Sequence, residues 1–395
     1  MQNVLTNFTP KRVGVIGCGH RAMDLIPLFE TMDTNARVTD ICDLYPELAT
    51  ARLKERRVDP SGIKFWTNAR DMLDNAEIDG VIVATMWPAH AELAEMALTR
   101  NIPLFLEKPI TFSMDEMIRI RDAYQKSNKL AMVSHPLTVS PLLTQVREII
   151  QSGRIGSVEH IMAFNYANYG GIYFHSKYRT SGRAGLFYEK STHDLDWVNY
   201  ILDEKPILVA SMASQSVFGG NEPEAKLCAA CDKQLTCMES PFMQKNFVHD
   251  QTLGEFCSFA KDVSTYDSAS ILVQYESGRH ANYVENHVAR KNAGGRGGRI
   301  TGYAGTVDFN WYHNTITVTR HHASTVEKHQ IETHAEHSGG DSVLVYDFLK
   351  MMHGINDTAV GMDRCMVTNL LAMAAHKSLD EKVFVPVLWG DGQGV

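Results

Sequence analysis

A glycine-rich loop between a short apolar strand and a helix constrains the fold of this chain more than any other feature. The apolar run 12–16 predicts a strand, and residues 17–22 (GCGHRA) match the pattern G-x-G-x-x-A. Gly17 allows a tight turn, Gly19 lets the backbone approach a pyrophosphate, and the small Ala22 lets the helix pack closely. The helix N-terminus then presents unpaired N–H groups to the phosphates. The loop therefore predicts a dinucleotide-binding domain.

An acidic residue after the second predicted strand bears on which dinucleotide is bound. That strand ends at Asp43, 21 residues after Ala22. A carboxylate at this place accepts hydrogen bonds from the ribose hydroxyls and repels a 2′-phosphate, so we expect NAD rather than NADP. Arg21 weakens this preference, because a guanidinium is able to bind a 2′-phosphate.

Strands and helices alternate through the first third of the chain, and consecutive strands dominate the rest. The alternation predicts a parallel sheet with crossover helices, and strands joined by short turns predict an antiparallel sheet. With 395 residues, 44% of them apolar, the chain is long enough for two cores. We expect an α/β Rossmann domain over 1–135 and an α+β domain over 136–395, with a cysteine-containing insertion near 219–257.

Composition excludes several classes of partner. The net charge of −8 gives no general attraction to nucleic acid or to anionic membranes. No apolar run approaches the ~18 residues that a membrane helix needs, and the N-terminal segment lacks the apolar stretch of a signal peptide. We therefore expect a cytoplasmic protein that binds neither nucleic acid nor membrane.

Several later motifs make a resemblance to a known family specific. The triplet EKP at 107–109 follows a predicted strand and is preceded by WPAH at 87–90. Further landmarks are GRIG at 153–156, EKSTHDLD at 189–196 and HSGGD at 337–341. Together with the glycine loop, these motifs resemble those of the Gfo/Idh/MocA family (glucose–fructose oxidoreductase and inositol dehydrogenase) over nearly the whole chain.

The resemblance implies a fold, an activity and a cofactor site. Family members pair a Rossmann domain with a large open, mainly antiparallel sheet, and most oxidise or reduce a carbon of a sugar or cyclitol. By analogy we expect a carbohydrate substrate and a homodimer or homotetramer. The cofactor site that we expect comprises Gly17, Gly19, His20, Arg21, Asp43, His90, Glu107 and Lys108.

Three residues are candidates for catalysis. His193 matches the family's catalytic histidine, and its ordinary pKa near neutrality suits a base that takes the hydroxyl proton as hydride leaves. Lys108 matches the lysine of the EKP triplet, whose charge would orient the hydroxyl and stabilise the developing alkoxide. Glu189, where the family often has aspartate, shares a helix face with His193. Lys190 is an alternative to Glu189 in the pocket.

A substrate wall is predicted from tyrosines and cations. Tyr166 and Tyr169 offer flat ring faces to sugar C–H groups, and Arg179 would allow a carboxylated or sulfonated sugar, as would Arg183. Lys190 would bind substrate hydroxyls, and the resemblance implies that His337 lies near the substrate. The alternative is an ordinary sheet edge with cross-strand tyrosines.

Two further motifs are interpreted without reference to catalysis. Cys228, Cys231 and Cys237 have the spacing C-x2-C-x5-C, which with Cys257 or His249 as a fourth ligand predicts a structural zinc site. The alternatives are a set of reduced cysteines in a loop or a single adventitious disulfide. The glycine- and arginine-rich run 294–299 is expected to be a flexible hairpin loop.

The interpretation that unites these motifs is an NAD-dependent oxidoreductase acting on a secondary hydroxyl of a sugar, sugar derivative or cyclitol. Two alternatives stay open: a redox-neutral enzyme of the same family that cleaves a glycoside with tightly held NAD, and a non-catalytic protein that senses NAD(P). A cis Lys108–Pro109 peptide bond is also expected.

Overall fold

The computed structural model describes residues 9–32, 35–244, 256–333 and 336–394, and its contacts divide the chain into two compact units. The first unit comprises Met1–Thr144, Thr333–Asn369 and Trp389–Gln393, and the second comprises Gln145–Glu332, Leu370–Leu388 and Gly394–Val395. The first unit therefore includes residues from late in the chain, whereas the predicted division assigned everything after residue 135 to the second domain.

The helices are numbered in chain order. Their bounds are α1 (His20–Thr31), α2 (Pro46–Glu55), α3 (Ala69–Asn75), α4 (His90–Thr99), α5 (Met114–Lys126), α6 (Pro141–Gln151), α7 (Gly171–His175), α8 (Gly182–Leu202), α9 (Pro241–Gln244), α10 (Gly340–Met352) and α11 (Met362–Glu381). Within the described residues, none of these helices is both long and apolar enough to cross a membrane.

The first unit is built on a parallel sheet of six strands. They are β1 (Lys11–Ile16), β2 (Ala36–Cys42), β3 (Lys64–Trp66), β4 (Gly80–Val83), β5 (Leu104–Leu106) and β6 (Ala131–Val133). Their order in the sheet is β3-β2-β1-β4-β5-β6, which is the doubly wound order of dinucleotide-binding domains. Every residue of β4, β5 and β6 is buried, as expected for strands covered by helices on both faces.

Helix α10 covers this sheet after the chain returns from the second unit. The ring of Phe348 lies 5.7 Å from that of Phe105 on β5. A Cβ atom on Gly80 of β4 would lie 2.8 Å from Phe348 and from Met352, so glycine makes room for the helix. The sequence does not predict that α10 packs on the first sheet, because the pattern of an amphipathic helix does not indicate which sheet it covers.

The second unit is built on a sheet of nine strands. They are β7 (Val158–Tyr166), β8 (Pro206–Ser214), β9 (Ser268–Tyr275), β10 (His280–Asn286), β11 (Gly295–Gly302), β12 (Gly305–Asn310), β13 (Thr315–Arg320), β14 (Val326–Gln330) and β15 (Val385–Pro386). Their order is β14-β13-β12-β11-β7-β10-β9-β8-β15, and neighbours are antiparallel except for the parallel pair β7 and β10. The Rossmann sheet and this mostly antiparallel sheet confirm the predicted fold class.

One face of the second sheet packs against α8. Trp197 of α8 lies 5.2 Å from the ring of Phe309 and 5.8 Å from that of Trp311. Residues 295–299 of the glycine- and arginine-rich run lie in β11, on this sheet, so the prediction of a flexible loop is wrong. Its glycines are needed for close approach: a Cβ on Gly298 would lie 2.7 Å from the Trp197 ring, and one on Gly297 would lie 2.0 Å from the Phe309 carbonyl oxygen.

Candidate active site

The glycine-rich loop joins β1 to α1. Gly17 has φ +87°, and a Cβ there would lie 2.7 Å from the side chain of Thr85 and 2.8 Å from its backbone nitrogen, so only glycine fits. Gly19 is the N-cap of α1, where a Cβ would meet nothing closer than the Ala84 carbonyl oxygen at 4.0 Å. The helix N-terminus has no side-chain cap. This leaves both space and N–H groups for a phosphate.

Asp43 follows β2 and binds this loop. One carboxylate oxygen accepts a 2.7 Å hydrogen bond from the backbone N–H of Cys18, and the other accepts a 2.9 Å bond from the N–H of Tyr45. Each oxygen retains a further lone pair for a ribose hydroxyl. His20 begins α1 and is exposed.

The guanidinium of Arg21 is fully occupied within the first unit. Its five N–H groups bond to Glu107 (3.1 Å), Asp24 (3.3 Å), Ser134 (3.3 Å) and both oxygens of Asp341 (2.9 and 3.2 Å). Burial lowers the pKa of Arg21, but the three carboxylates outweigh it and hold that pKa above its ordinary value. A 2′-phosphate would have to displace one of these carboxylates, which corrects the expectation that Arg21 is available to it.

His337 belongs to the same network. Its Nδ1 lies 2.8 Å from Asp341, and its φ of +48° is in the left-handed region. Burial alone would raise the pKa of Asp341, but His337 and Arg21 hold it well below its ordinary value. The structure thus places the predicted substrate ligand His337 and the predicted cofactor ligand Glu107 in one ion-pair cluster of the first unit.

The EKP turn is held by His90. The Lys108–Pro109 peptide bond is cis, as predicted. Nδ1 of the His90 ring lies 2.7 Å from the Pro109 carbonyl oxygen, and Nε2 lies 3.1 Å from the Thr85 carbonyl oxygen. Both ring nitrogens therefore contact backbone of the first unit, so His90 positions the turn that carries Lys108. Lys108 itself is half-buried.

Helix α8 carries Glu189, Lys190 and His193, and Glu189 and His193, four residues apart, share a face of the helix, as expected. A buried network anchors the helix to the sheet: both oxygens of Asp194 accept hydrogen bonds from Arg296, at 2.9 and 2.8 Å, and one accepts a 3.0 Å bond from the Tyr283 hydroxyl. Sequence reasoning missed Asp194 and Arg296. The available signals were the position of Asp194 directly after His193 and the arginine within the glycine run.

The tyrosine wall is only partly as predicted. Tyr169 and Tyr173 lie with ring centroids 6.2 Å apart, and the Lys190 ammonium lies 5.5 and 4.4 Å from their respective centroids. Tyr166 instead stacks on Phe164 at 5.7 Å, on the side of β7 opposite to Asn165. It therefore faces away from α8.

Arg179 is also engaged elsewhere. Its guanidinium forms two hydrogen bonds with the carboxylate of Asp262 and lies 4.4 Å from the ring centroid of Phe256. Only 3% of Arg179 is exposed. Arg179 thus joins Asp262 to Phe256 of the insertion, and the guanidinium edge that would bind a substrate carboxylate is taken by Asp262. The side chain of Arg183 lies outside the described residues.

The predicted zinc site is not supported. Cys228, Cys231, Cys237 and Cys257 are free thiols, and no three of these four sulfur atoms lie within 4.8 Å of one another. Burial, followed by the nearby thiols, raises the pKa of Cys228 to about 11. The four residues do converge on one region, but not at ligand distances. His249 lies outside the described residues.

Comparison with protein-family models gives two matches. Residues 11–135 match the oxidoreductase family with an NAD-binding Rossmann fold, and residues 143–308 match the GFO/IDH/MocA C-terminal domain. Together the matches cover most of the chain.

Relatives of named function are distant. The 1-carboxy-3-chloro-3,4-dihydroxycyclohexa-1,5-diene dehydrogenase of Comamonas testosteroni is 24% identical over 51% of this chain and 49% of its own length. The putative oxidoreductase YteT of Bacillus subtilis (strain 168) is 23% identical over 85% of this chain and 88% of its own. The alignment with the first of these relatives thus spans about half of that protein.

Solved structures resemble the whole chain. An oxidoreductase from Agrobacterium radiobacter, in complex with NAD+, L-tartaric acid and magnesium, has a TM-score of 0.75 at 16% identity over 96% of this chain and 99% of its own. Scyllo-inositol dehydrogenase from Lactobacillus casei, with bound NAD(H) and scyllo-inositol, has a TM-score of 0.72. Its sequence is 16% identical, and the match covers 96% of this chain and 99% of its own. At these identities the likeness shows the fold alone. Taken with the two family-model matches, it shows that the chain belongs to the Gfo/Idh/MocA family of oxidoreductases with an NAD-binding Rossmann domain.

Proposed function

We propose that this chain is an NAD-dependent oxidoreductase that transfers hydride between the nicotinamide and a secondary hydroxyl of a sugar, sugar derivative or cyclitol. The observation that carries the proposal is the pairing of Asp43 with the glycine-rich loop at an uncapped helix N-terminus, which fits the diphosphate and ribose of NAD. Relatives named for inositol and a structural neighbour named for scyllo-inositol support the substrate class.

The residues of this chain have separate roles in the proposal. When bound, NAD would supply the hydride acceptor. Asp43 binds the adenosine ribose, and the occupied guanidinium of Arg21 favours NAD over NADP. His193 takes the hydroxyl proton, and the ammonium of Lys108 stabilises the oxygen as negative charge develops on it. His90 acts through Lys108 and is a positioning residue.

The test is NADH formation by the purified chain with NAD+ and a panel of cyclitols, neutral sugars and sugar acids. We expect His193→Ala and Lys108→Met to lower turnover by ~10²–10³ while NAD affinity, measured by calorimetry, stays within about threefold. Near-normal turnover of either variant would contradict the assigned roles. Glycoside cleavage with catalytic NAD and no net NADH would favour the redox-neutral alternative.

A further inference from the structure

The ammonium of Lys190 occupies an unusual environment in the second unit. It lies 4.4 Å from the ring centroid of Tyr173 and 5.5 Å from that of Tyr169, and the side chain is half-buried. No ion pair joins it to a carboxylate of the described residues. Glu189 precedes it, but neighbouring helix residues do not face each other. The charge of Glu189 acts on the same tyrosines, Tyr173 and Tyr178, but within the described residues no ion pair offsets the lost hydration of the partly buried Lys190 ammonium.

The surrounding tyrosines make this a site for a polar ligand. The rings of Tyr173 and Tyr178 meet edge to face at 5.5 Å. Burial, followed by nearby Glu189, raises the pKa of Tyr178 to about 12, so its hydroxyl stays protonated at neutral pH. Flat ring faces pack on the C–H groups of a sugar, and the hydroxyls hydrogen-bond with its oxygens.

The other cations near this wall are already paired. Arg179 is held by Asp262, and Arg296 is held by Asp194. Both pairs are fork-to-fork contacts, which use the guanidinium edge that would bind a carboxylate. Among the side chains that the structure describes, Lys190 is therefore the cation beside the tyrosines that is available to an anionic ligand.

We propose that the substrate is a sugar acid whose carboxylate pairs with Lys190. The inference rests on the proposed function and specifies its substrate class. Lys190 lies one helical turn from His193 on α8, so the carboxylate is bound close to the group that takes the hydroxyl proton. The oxidised carbon loses a hydride to NAD+ and its hydroxyl loses a proton to His193, which gives a ketone. The carboxylate itself is unchanged.

The experiment compares matched substrates that differ only in the acid group: D-glucose with D-glucuronate, and D-galactose with D-galacturonate. We measure kcat/KM for NADH formation by the wild type, Lys190→Met, Lys190→Arg and the control Lys328→Met, which removes an exposed lysine of β14. The wild type should favour a uronate. Lys190→Met should lower kcat/KM for that uronate by ~10², mainly through KM, and the fall for the neutral partner should be at least tenfold smaller.

The remaining variants separate charge from structure. Lys190→Arg should recover part of the uronate activity, because it restores a cation, and Lys328→Met should match the wild type. Unchanged NAD affinity and an unchanged urea unfolding curve of Lys190→Met show that both units of the variant are folded. Oxidation of a neutral sugar or cyclitol but of neither uronate would overturn this inference and preserve the proposed function. An equal fall in kcat/KM of Lys190→Met for a uronate and for its neutral partner would also overturn this inference. Absence of NADH with every compound of the wider panel would overturn the proposed function itself.

Discussion

At the residue scale, Asp43 joins loop structure to cofactor choice. Asp43→Asn keeps an oxygen that accepts the Cys18 N–H bond but removes the charge that favours ribose hydroxyls over a 2′-phosphate. We expect NAD affinity to fall about tenfold and NADP affinity to fall less or to rise. Calorimetric titration with both dinucleotides measures this, with the exposed Asp59→Asn as control. A wild type that binds NADP more tightly than NAD would contradict the assignment.

Asp341 provides a second test at this scale, because it is 3% exposed and paired with Arg21 and His337. Its pKa is lowered from 3.8 on folding. The ionised carboxylate therefore stabilises the fold above the unfolded-state pKa, and this contribution is lost as pH falls through the lower folded-state pKa.

Asp341→Asn should lower the free energy of unfolding by about 3 kcal/mol at pH 7. The difference from the wild type should persist to about pH 5 and shrink below about pH 4, because the carboxyl of the unfolded wild type then takes up a proton while that of the folded state stays ionised. Urea unfolding at several pH values measures it, with the exposed Glu224→Gln as control. A difference of the same size at every pH would contradict the ionic origin.

Local spacing predicts some of these residues and not others. Gly17, Gly19 and Asp43 act within one strand–loop–helix unit, so their spacing is informative. Arg21 and Arg179 depend on carboxylates that lie 320 and 83 residues further along the chain. No local pattern reveals such partners, and an arginine that is buried in an ion pair has the same sequence signature as one that binds substrate.

At the element scale, β11 shows how a glycine run forms a strand. Gly298→Ala adds a Cβ that lies 2.7 Å from Trp197 and 2.9 Å from the Met162 carbonyl oxygen. We expect it to lower the free energy of unfolding by about 1–3 kcal/mol, since overpacking forces shifts in the sheet or in α8. Chemical denaturation measures the loss. Gly62→Ala, where an added Cβ meets nothing within 4 Å, is the control and should change little.

The same strand explains a failure of sequence reasoning. Glycine and arginine without apolar alternation indicate a loop, because a strand normally shows its buried face by a period of two. In β11 the face towards α8 carries Arg296, which bonds to Asp194, and Gly298, which makes room for Trp197, a residue about a hundred positions earlier. The strands with apolar alternation, such as β9 and β10, were predictable because their own side chains form the core.

At the scale of the whole molecule, the second sheet leaves an apolar surface on the face opposite α8. Met162 lies in register with Asn282, and Asn282 with Leu272. In the next row on the same face, Phe164 lies in register with Val284. Val284 is in turn in register with Ser270, and Ser270 with Met212. Of these, Met212 is 80% and Leu272 42% exposed. An apolar surface across neighbouring strands is typical of a protein interface.

We expect this face to bind a second copy of the chain, because an isologous contact lets the same apolar rows cover each other. Leu272→Lys places a charge among them and should lower the mass measured by light scattering at micromolar concentration from that of a dimer or tetramer towards that of one chain. Leu235→Lys, at a side chain in the insertion that is 70% exposed, is the matched control and should leave the mass unchanged. A wild type with the mass of one chain, or an oligomer that survives Leu272→Lys, would show that another surface, or none, joins the subunits.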